Sequence, residues 1–264
     1  MVETTLSYLR PMAERPYYYT VKPPEGTPWR NTKGDFRTLP VHDARDLPRE
    51  PSLDREGFTL VRLETLARDL YDADAVRATF YPEVCEQVQK ATGARRVLAF
   101  DHNVRNVTKA QQGEDQAQGP VRFVHNDYTL ASGPQRVRDL LPDEADDLLT
   151  RRFAVINVWK PIRGPVMQSP LGFCDAGSID PRDMLPTDLI YADRTGEIYS
   201  FTWRDSHRWY YYSAMRADEA LLLKCYDASE EVARFTAHSA FDDPTSAPDA
   251  RVRESIEVRT LVFW

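Results

Sequence analysis

The stretch Val124-His125-Asn126-Asp127-Tyr128-Thr129 places an imidazole and a carboxylate two residues apart. On a β-strand, or running off its end, His125 and Asp127 point to the same side, because side chains alternate with a period of two. Together they supply two of the three ligands of a 2-His-1-carboxylate facial triad, which holds non-haem Fe(II) with open positions opposite. The pair alone is not specific, since His-x-Asp also occurs as an ordinary loop hydrogen-bond pair. It gains meaning only if the chain also supplies a third ligand, a cosubstrate anchor and a suitable scaffold.

The third ligand has to come from a strand far downstream, and two histidines qualify. His207 lies in Trp203-Arg204-Asp205-Ser206-His207-Arg208, a polar turn where exposure to solvent is natural. His238 ends an apolar stretch, Phe235-Thr236-Ala237-His238-Ser239-Ala240-Phe241, and small neighbours leave room around its ring. The residues downstream of it favour His238. Fifteen residues on, Arg253-Glu254-Ser255 opens a strand that runs to Phe263. On it Arg253 and Ser255 face the same way, so a guanidinium fork and a hydroxyl can converge on one carboxylate. Iron alone needs no such feature, whereas a dicarboxylate cosubstrate that chelates the metal through a 2-oxo acid needs its far carboxylate held. Arg259 shares that strand face and is the second candidate anchor. The bland alternative is a surface strand with Glu254 or Glu257 paired to Arg251 or Arg259. His42, in a proline-rich segment, reads as a surface histidine. His102 is adjacent to Asp101, so the two would face opposite ways on a strand.

These residues need elements to position them. Phe153 to Ile162 is the strongest strand, and Glu219 to Asp227 is a nearly unbroken apolar run, as expected of a strand buried on both faces. Further strands are expected at 58–63, 95–100, 121–124, 171–175, 189–191, 198–203, 208–213, 234–236 and 255–264. Helices are expected from Leu63 to Leu70, from Asp74 to Thr92 with Val76, Phe80, Val84 and Val88 repeating every four residues, and from Gln135 to Thr150. Pro82 can mark a new helix start and Gly93 a C-terminal stop. Residues 108–119 read as a polar, mobile loop. Residues 1 to about 60 carry many prolines and read as an extended arm, with one strand near Tyr17–Val21, packed on the core. Helices in the first half followed by many strands point to a mostly β fold with flanking helices, a barrel or double-sheet jelly roll. The length of 264 residues suits one domain.

Composition narrows the function classes. A net charge of −7 gives no electrostatic case for nucleic acid or an anionic membrane as partner. The chain has no run of 18 apolar residues, and its N-terminus lacks signal-peptide features, so a cytoplasmic location is expected. Cys85, Cys174 and Cys225 are widely spaced, which argues against a disulfide framework or zinc cluster, and Cys174 and Cys225 read as buried small hydrophobes.

The order His125-x-Asp127, His238, Arg253-x-Ser255 resembles the Fe(II)/2-oxoglutarate-dependent dioxygenases of the double-stranded β-helix (cupin-like jelly-roll) fold. Together with 157–162, Cys174-Asp175, Trp209-Tyr210-Tyr211, Lys224-Cys225-Tyr226-Asp227 and 253–259, these motifs are similar to the group containing the cephamycin methoxylation protein, the fungal gibberellin desaturase and a fungal endoperoxide-forming oxygenase. The likeness covers roughly residues 95–264, the expected catalytic core. It implies Fe(II) on His125, Asp127 and His238, and 2-oxoglutarate on Arg253 and Ser255 with O₂ as the other cosubstrate. It also implies a small-molecule substrate from natural-product metabolism that is hydroxylated, desaturated or oxidatively rearranged. Tyr128, Asn157, Trp159, Trp209 and Tyr211 are candidate pocket residues. Two other classes stay open at this level: a cupin-like metal enzyme that does not use 2-oxoglutarate, and a non-catalytic small-molecule-binding barrel.

Overall fold

Phe153–Pro161 and Glu219–Asp227 are buried at every position, as their apolar runs require of central strands. The computed structural model describes residues 1–112 and 117–264 and builds two sheets around these and thirteen further strands. The strands are β1 (Val2–Leu9), β2 (Tyr17–Tyr19), β3 (Gly34–Asp43), β4 (Phe58–Arg62), β5 (Arg96–Asn106), β6 (Ala117–Gln118), β7 (His125–Asn126) and β8 (Phe153–Pro161). They continue as β9 (Leu171–Cys174), β10 (Met184–Ile190), β11 (Thr195–Phe201), β12 (Trp209–Tyr211), β13 (Glu219–Asp227), β14 (His238–Ala240) and β15 (Glu254–Phe263). Nine form one sheet in the order β1-β3-β12-β9-β14-β7-β11-β10-β2, and six form the other in the order β4-β13-β8-β15-β5-β6. The fold is the expected jelly roll. The large sheet curls far enough for the Val124 N–H, just before β7, to donate to the Ser7 carbonyl of β1 at 2.9 Å.

The smaller sheet has two different faces. Ile156, Val158, Ile256 and Val258 point outward and pack with Val76, Phe80, Val84 and Val88. This is the four-residue repeat visible in the sequence, and burying each such side chain contributes about 1.5–3 kcal/mol. Short helices α1 (Ala73–Ala75), α3 (Val107–Gln111), α4 (Ser132–Leu140) and α5 (Ala145–Leu148) flank the sheets, and α2 (Tyr81–Thr92) backs the smaller one. Pro82 lies in the first turn of α2, and Gly93 ends it with φ of 68°. Val155, Trp159, Leu261 and Phe263, on the inward face, join the core between the sheets. Asn157, Ser255, Glu257 and Arg259 alternate with the outward set on the same strands, so a polar patch faces the larger sheet.

Several local expectations differ from what forms. Residues 1–60 hold β1 and β3 as well as β2, and β1 pairs with β3 over its whole length. Residues 63–70 are not helical. Glu83 accepts from the Leu66 N–H at 2.8 Å and from the Thr65 hydroxyl, which holds this segment against α2 in an irregular path. The strand expected at 121–124 begins only at His125, and the one expected at 234–236 begins at His238. Pro142 separates α4 from α5 where one helix was expected. Within the loop expected at 108–119, residues 113–116 lie outside the described residues, while α3 and β6 occupy its ends.

Gly57 has φ of 85°, and a Cβ there would overlap Thr236 Oγ1, whose hydroxyl donates to the Gly57 carbonyl at 2.9 Å. Gly57→Ala combines that clash with a left-handed backbone, so it should lower stability by more than ~1 kcal/mol in denaturant unfolding. An unchanged midpoint would mean the Thr236 segment moves freely.

Candidate metal and cosubstrate site

β7 and β14 are hydrogen-bonded neighbours in which His125 and His238 are direct cross-strand partners. Direct partners share a face, and the two rings lie 4.4 Å apart between centroids. Asp127 follows β7, with Oδ1 3.6 Å from His125 Nε2. One ligand atom from each of His125, Asp127 and His238 lies within 4.8 Å of the others, a spacing that a single metal ion can bridge.

Each imidazole is oriented by its own backbone. His125 Nδ1 lies 2.7 Å from the Phe123 carbonyl and His238 Nδ1 3.0 Å from the Thr236 carbonyl, in each case two residues upstream. A carbonyl can only accept, so Nδ1 carries the proton and Nε2 presents its lone pair. Burial, reinforced by His238, pushes His125 down to about 4, which keeps it neutral and ligand-competent at physiological pH.

Asn126, between His125 and Asp127, is fully buried. Its Nδ2 donates to the Tyr128 carbonyl at 2.7 Å and the Cys225 carbonyl at 2.8 Å, fastening this turn to β13. Burial alone would raise the Asp127 carboxyl. Arg259, His238, His125 and a 2.7 Å hydrogen bond from Asn157 outweigh it and hold Asp127 well below the usual carboxylate range.

Arg253 and Ser255 sit at the mouth of the opposite sheet. Arg253 is 4% exposed, its Nη1 donates to the Ser169 carbonyl at 2.7 Å, and its guanidinium lies 5.5 Å from the centre of the Trp159 ring. Burial, with Arg105 and Arg122 nearby, pushes it down to about 9. Among the described residues, Arg253 Nε and Ser255 Oγ are buried without a hydrogen-bond partner, as is Asn157 Oδ1. A buried cation beside other cations, with a donor and a hydroxyl left over, fits an incoming carboxylate. A cleft of about 360 Å³ reaches Arg253 from the surface, lined among others by Val107, Pro120, Arg122, Gln168 and Ser169. Arg259 is surrounded instead by acids: Nε lies 3.1 Å from Asp127 Oδ2, Nη1 2.8 Å from Asp101 Oδ2 and Nη2 3.2 Å from Glu257 Oε1.

The other candidates divide. Tyr128, next to Asp127, is buried, and its hydroxyl is pushed up to about 12 by burial. Trp159 lies beneath Arg253. Trp209 donates its indole N–H to Tyr8 at 2.6 Å, and Tyr211 packs edge-on against Phe241, so both serve the core of the large sheet. His42 is exposed against Tyr210, as expected. His102 pairs with Val258 on the outward face and meets the Tyr81 hydroxyl at 2.8 Å.

His207, expected in a solvent-facing turn, has a buried side chain. Its Nδ1 meets the Tyr8 hydroxyl at 3.1 Å and its Nε2 meets Asp183 Oδ2 at 3.2 Å. Asp183 is also gripped by Arg204 at 2.6 and 2.7 Å. The polar sequence around His207 is polar because these groups pair with one another. The residues that sequence reasoning missed are Asn126, Asp101 and Asn103. For the last two the period-two alternation of β5 was the available signal.

Comparison with known proteins gives one coherent set. The family model described as "Oxidoreductase/YMDC permease-like domain" matches residues 6–263; among the described residues no helix is long and apolar enough to cross a membrane. The chain is similar to the Fe(II)/2-oxoglutarate-dependent dioxygenase nvfI of Aspergillus novofumigatus, 31% identical, covering 99% of this chain and 96% of that protein. It is 33% identical to the hydroxylase/desaturase efuI of Hormonema carpetanum, covering 100% of this chain and 95% of that one. It is 34% identical to the alpha-ketoglutarate-dependent dioxygenase phiK of a fungal species, covering 87% and 85%. Among solved structures, the iron and alpha-ketoglutarate-dependent endoperoxidase NvfI superposes with a TM-score of 0.90 at 30% identity, covering 99% of this chain and 97% of that chain.

His207→Ala should leave Fe(II) binding intact and lower stability by about 1–3 kcal/mol, because it strands the Tyr8 and Asp183 groups. Parallel thermal unfolding and iron titration measure both; lost iron binding in a folded variant would count against this placement.

Proposed function

The chain belongs to the Fe(II)/2-oxoglutarate-dependent dioxygenases, and from that premise we propose that His125, Asp127 and His238 hold the iron while Arg253 and Ser255 hold the far carboxylate of 2-oxoglutarate. It is an oxidoreductase that takes Fe(II), 2-oxoglutarate and O₂ and acts on a small molecule. Iron, 2-oxoglutarate and O₂ together supply an oxidant able to remove hydrogen from a substrate C–H bond; the protein's task is to bind, orient and shield. The observation that carries the assignment is the pairing of a His-Asp-His cluster with buried donors at Arg253 and Ser255 that have no partner among the described residues.

Each role follows from the local chemistry. The two imidazoles, each held through Nδ1 by a backbone carbonyl, present Nε2 in fixed directions, so little reorganisation accompanies metal binding. Asp127 brings the negative charge. Arg253 gains an anion that relieves its burial, and Ser255 donates its hydroxyl to the same group. Trp159 packs under the guanidinium and excludes water from it. Tyr128 and Asn157, beside Asp127, are the residues we favour for the substrate side, with Trp209 and Tyr211 as supports behind the sheet.

Relatives named as hydroxylase/desaturase and endoperoxidase, and one named as an aspirochlorine biosynthesis protein, support an oxidative tailoring step on a natural product. The step is hydroxylation, desaturation or an oxidative rearrangement. Three free cysteines suit the reducing cytoplasm, where we place the enzyme.

Anaerobic addition of 2-oxoglutarate to the Fe(II) protein should raise the weak visible metal-to-ligand charge-transfer band. His125→Ala, Asp127→Ala and His238→Ala should abolish iron binding and the band. Arg253→Ala should retain iron and weaken 2-oxoglutarate binding by roughly 30-fold or more, the loss of a buried charge-assisted pair. A band that survives in His238→Ala would refute the ligand set. Wild-type 2-oxoglutarate affinity in Arg253→Ala would refute the anchor.

A further inference from the structure

Asp127 has two carboxylate oxygens in unlike surroundings. Oδ1 faces His125 Nε2 at 3.6 Å. Oδ2 accepts from Asn157 Nδ2 at 2.7 Å and from Arg259 Nε at 3.1 Å. A carboxylate oxygen has two lone pairs, and both at Oδ2 are taken by the protein.

The donors come from the opposite sheet, and their placement is set by strand register. Arg259 of β15 lies directly between Asn157 of β8 and Asp101 of β5, three adjacent strands contributing one residue each to a single row. The row is itself braced. Arg259 Nη1 donates to Asp101 Oδ2 at 2.8 Å and Nη2 lies 3.2 Å from Glu257 Oε1. In the amide orientation that satisfies its neighbours, the Asn103 oxygen accepts from both Nη atoms at 2.7 and 3.1 Å. A guanidinium has five N–H donors in a rigid fork. With the two Nη groups hydrogen-bonded to Asp101 and Asn103 and ion-paired with Glu257, the Nε–H is the donor left to point at Asp127.

We infer that Arg259 is a positioning residue that, with Asn157, keeps Asp127 a single-oxygen ligand by occupying Oδ2. A carboxylate free to rotate can chelate a metal through both oxygens, and the second oxygen would take a coordination position that the 2-oxo acid needs. The clamp thus protects cosubstrate chelation without touching the cosubstrate. This inference rests on the reading of His125, Asp127 and His238 as the ligands.

The experiment uses the full-length Fe(II) protein, anaerobically, and reads iron affinity, 2-oxoglutarate affinity and the charge-transfer band separately. Arg259→Met keeps the side-chain volume and removes the Nε donor. It should bind Fe(II) at least as tightly as wild type, yet lose the charge-transfer band and weaken 2-oxoglutarate binding on the order of 10–100-fold. Arg259→Lys, which returns one charged donor to Asp127, should restore the band. A full band with wild-type 2-oxoglutarate affinity in Arg259→Met overturns the inference, and so does loss of iron in a folded Arg259→Met, which would make Arg259 a determinant of metal affinity. If Arg259→Met does not fold, Asn157→Leu removes the other Oδ2 donor and is read the same way: a weakened band supports the clamp and a full band overturns it. Asp127→Ala is the control. If that variant keeps iron, the ligand reading itself fails, a result separate from any outcome at Arg259.

Discussion

The contact of the Asp127 carboxylate with Arg259 and Asn157 joins two sheets that otherwise meet mainly through apolar side chains. Asp127 belongs to the large sheet by its position after β7, and its partners belong to the smaller sheet. Removing one member of such a partly buried pair leaves an uncompensated charge, whereas the intact pair returns little net stability. The contact is therefore better understood as fixing how the sheets dock than as a source of stability. The remaining acceptors around Arg259, from Asp101, Asn103 and Glu257, offset the desolvation of its guanidinium, and Asp127 and Glu257 keep its proton bound despite burial.

The smaller sheet can carry this polar row because the centre of its other face is an apolar cluster backed by α2. Ile256 and Val258 alternate with Ser255, Glu257 and Arg259, so one strand both packs a core and presents a charged wall. A site on such a strand keeps its geometry better than one on a loop. The same wall is asymmetric in charge. Around Arg259 the acids dominate, whereas burial and the charges of Arg105 and Arg122 outweigh Glu257 at Arg253. Among the described residues Arg259 is ion-paired with acids on every side and Arg253 is not ion-paired, although the sequence presents both on the same face of the same strand.

That difference marks the limit of what could be read from the chain alone. The His-x-Asp and Arg-x-Ser spacings were legible because period-two alternation is local, and β8 and β13 were legible because continuous apolar runs have few other uses. The His238 ring lies beside that of His125, whereas His207 lies against Tyr8 and Asp183 with its side chain buried rather than exposed. Its turn carries Arg204 and Asp205, and the Asp183 partner is 24 positions away, so local polarity could not reveal a buried network. The strand β1 was overlooked although Val2, Thr4, Leu6 and Tyr8 alternate as buried positions with Glu3, Thr5 and Ser7 between them. The prolines beyond it drew the segment toward an arm. Leu63 to Leu70 has helical spacing but is held by Glu83, a tertiary contact that no local pattern predicts.

His125 and His238 illustrate how little backbone machinery a preorganised cluster requires. In each, the ring nitrogen nearer the chain is bound to the carbonyl two residues upstream, on strands that are neighbours in the same sheet. A strand turns its side chain perpendicular to the sheet, so this short return bond sets both the ring's tilt and its tautomer. The cross-strand register then sets the separation of the rings, and Asn126 sets the path of the chain from His125 to Asp127 by bonding to the Tyr128 and Cys225 carbonyls. Three side chains are thereby aimed at one point by hydrogen bonds to backbone atoms and by strand pairing, which leaves the lining of the remaining space free to vary with the molecule being oxidised.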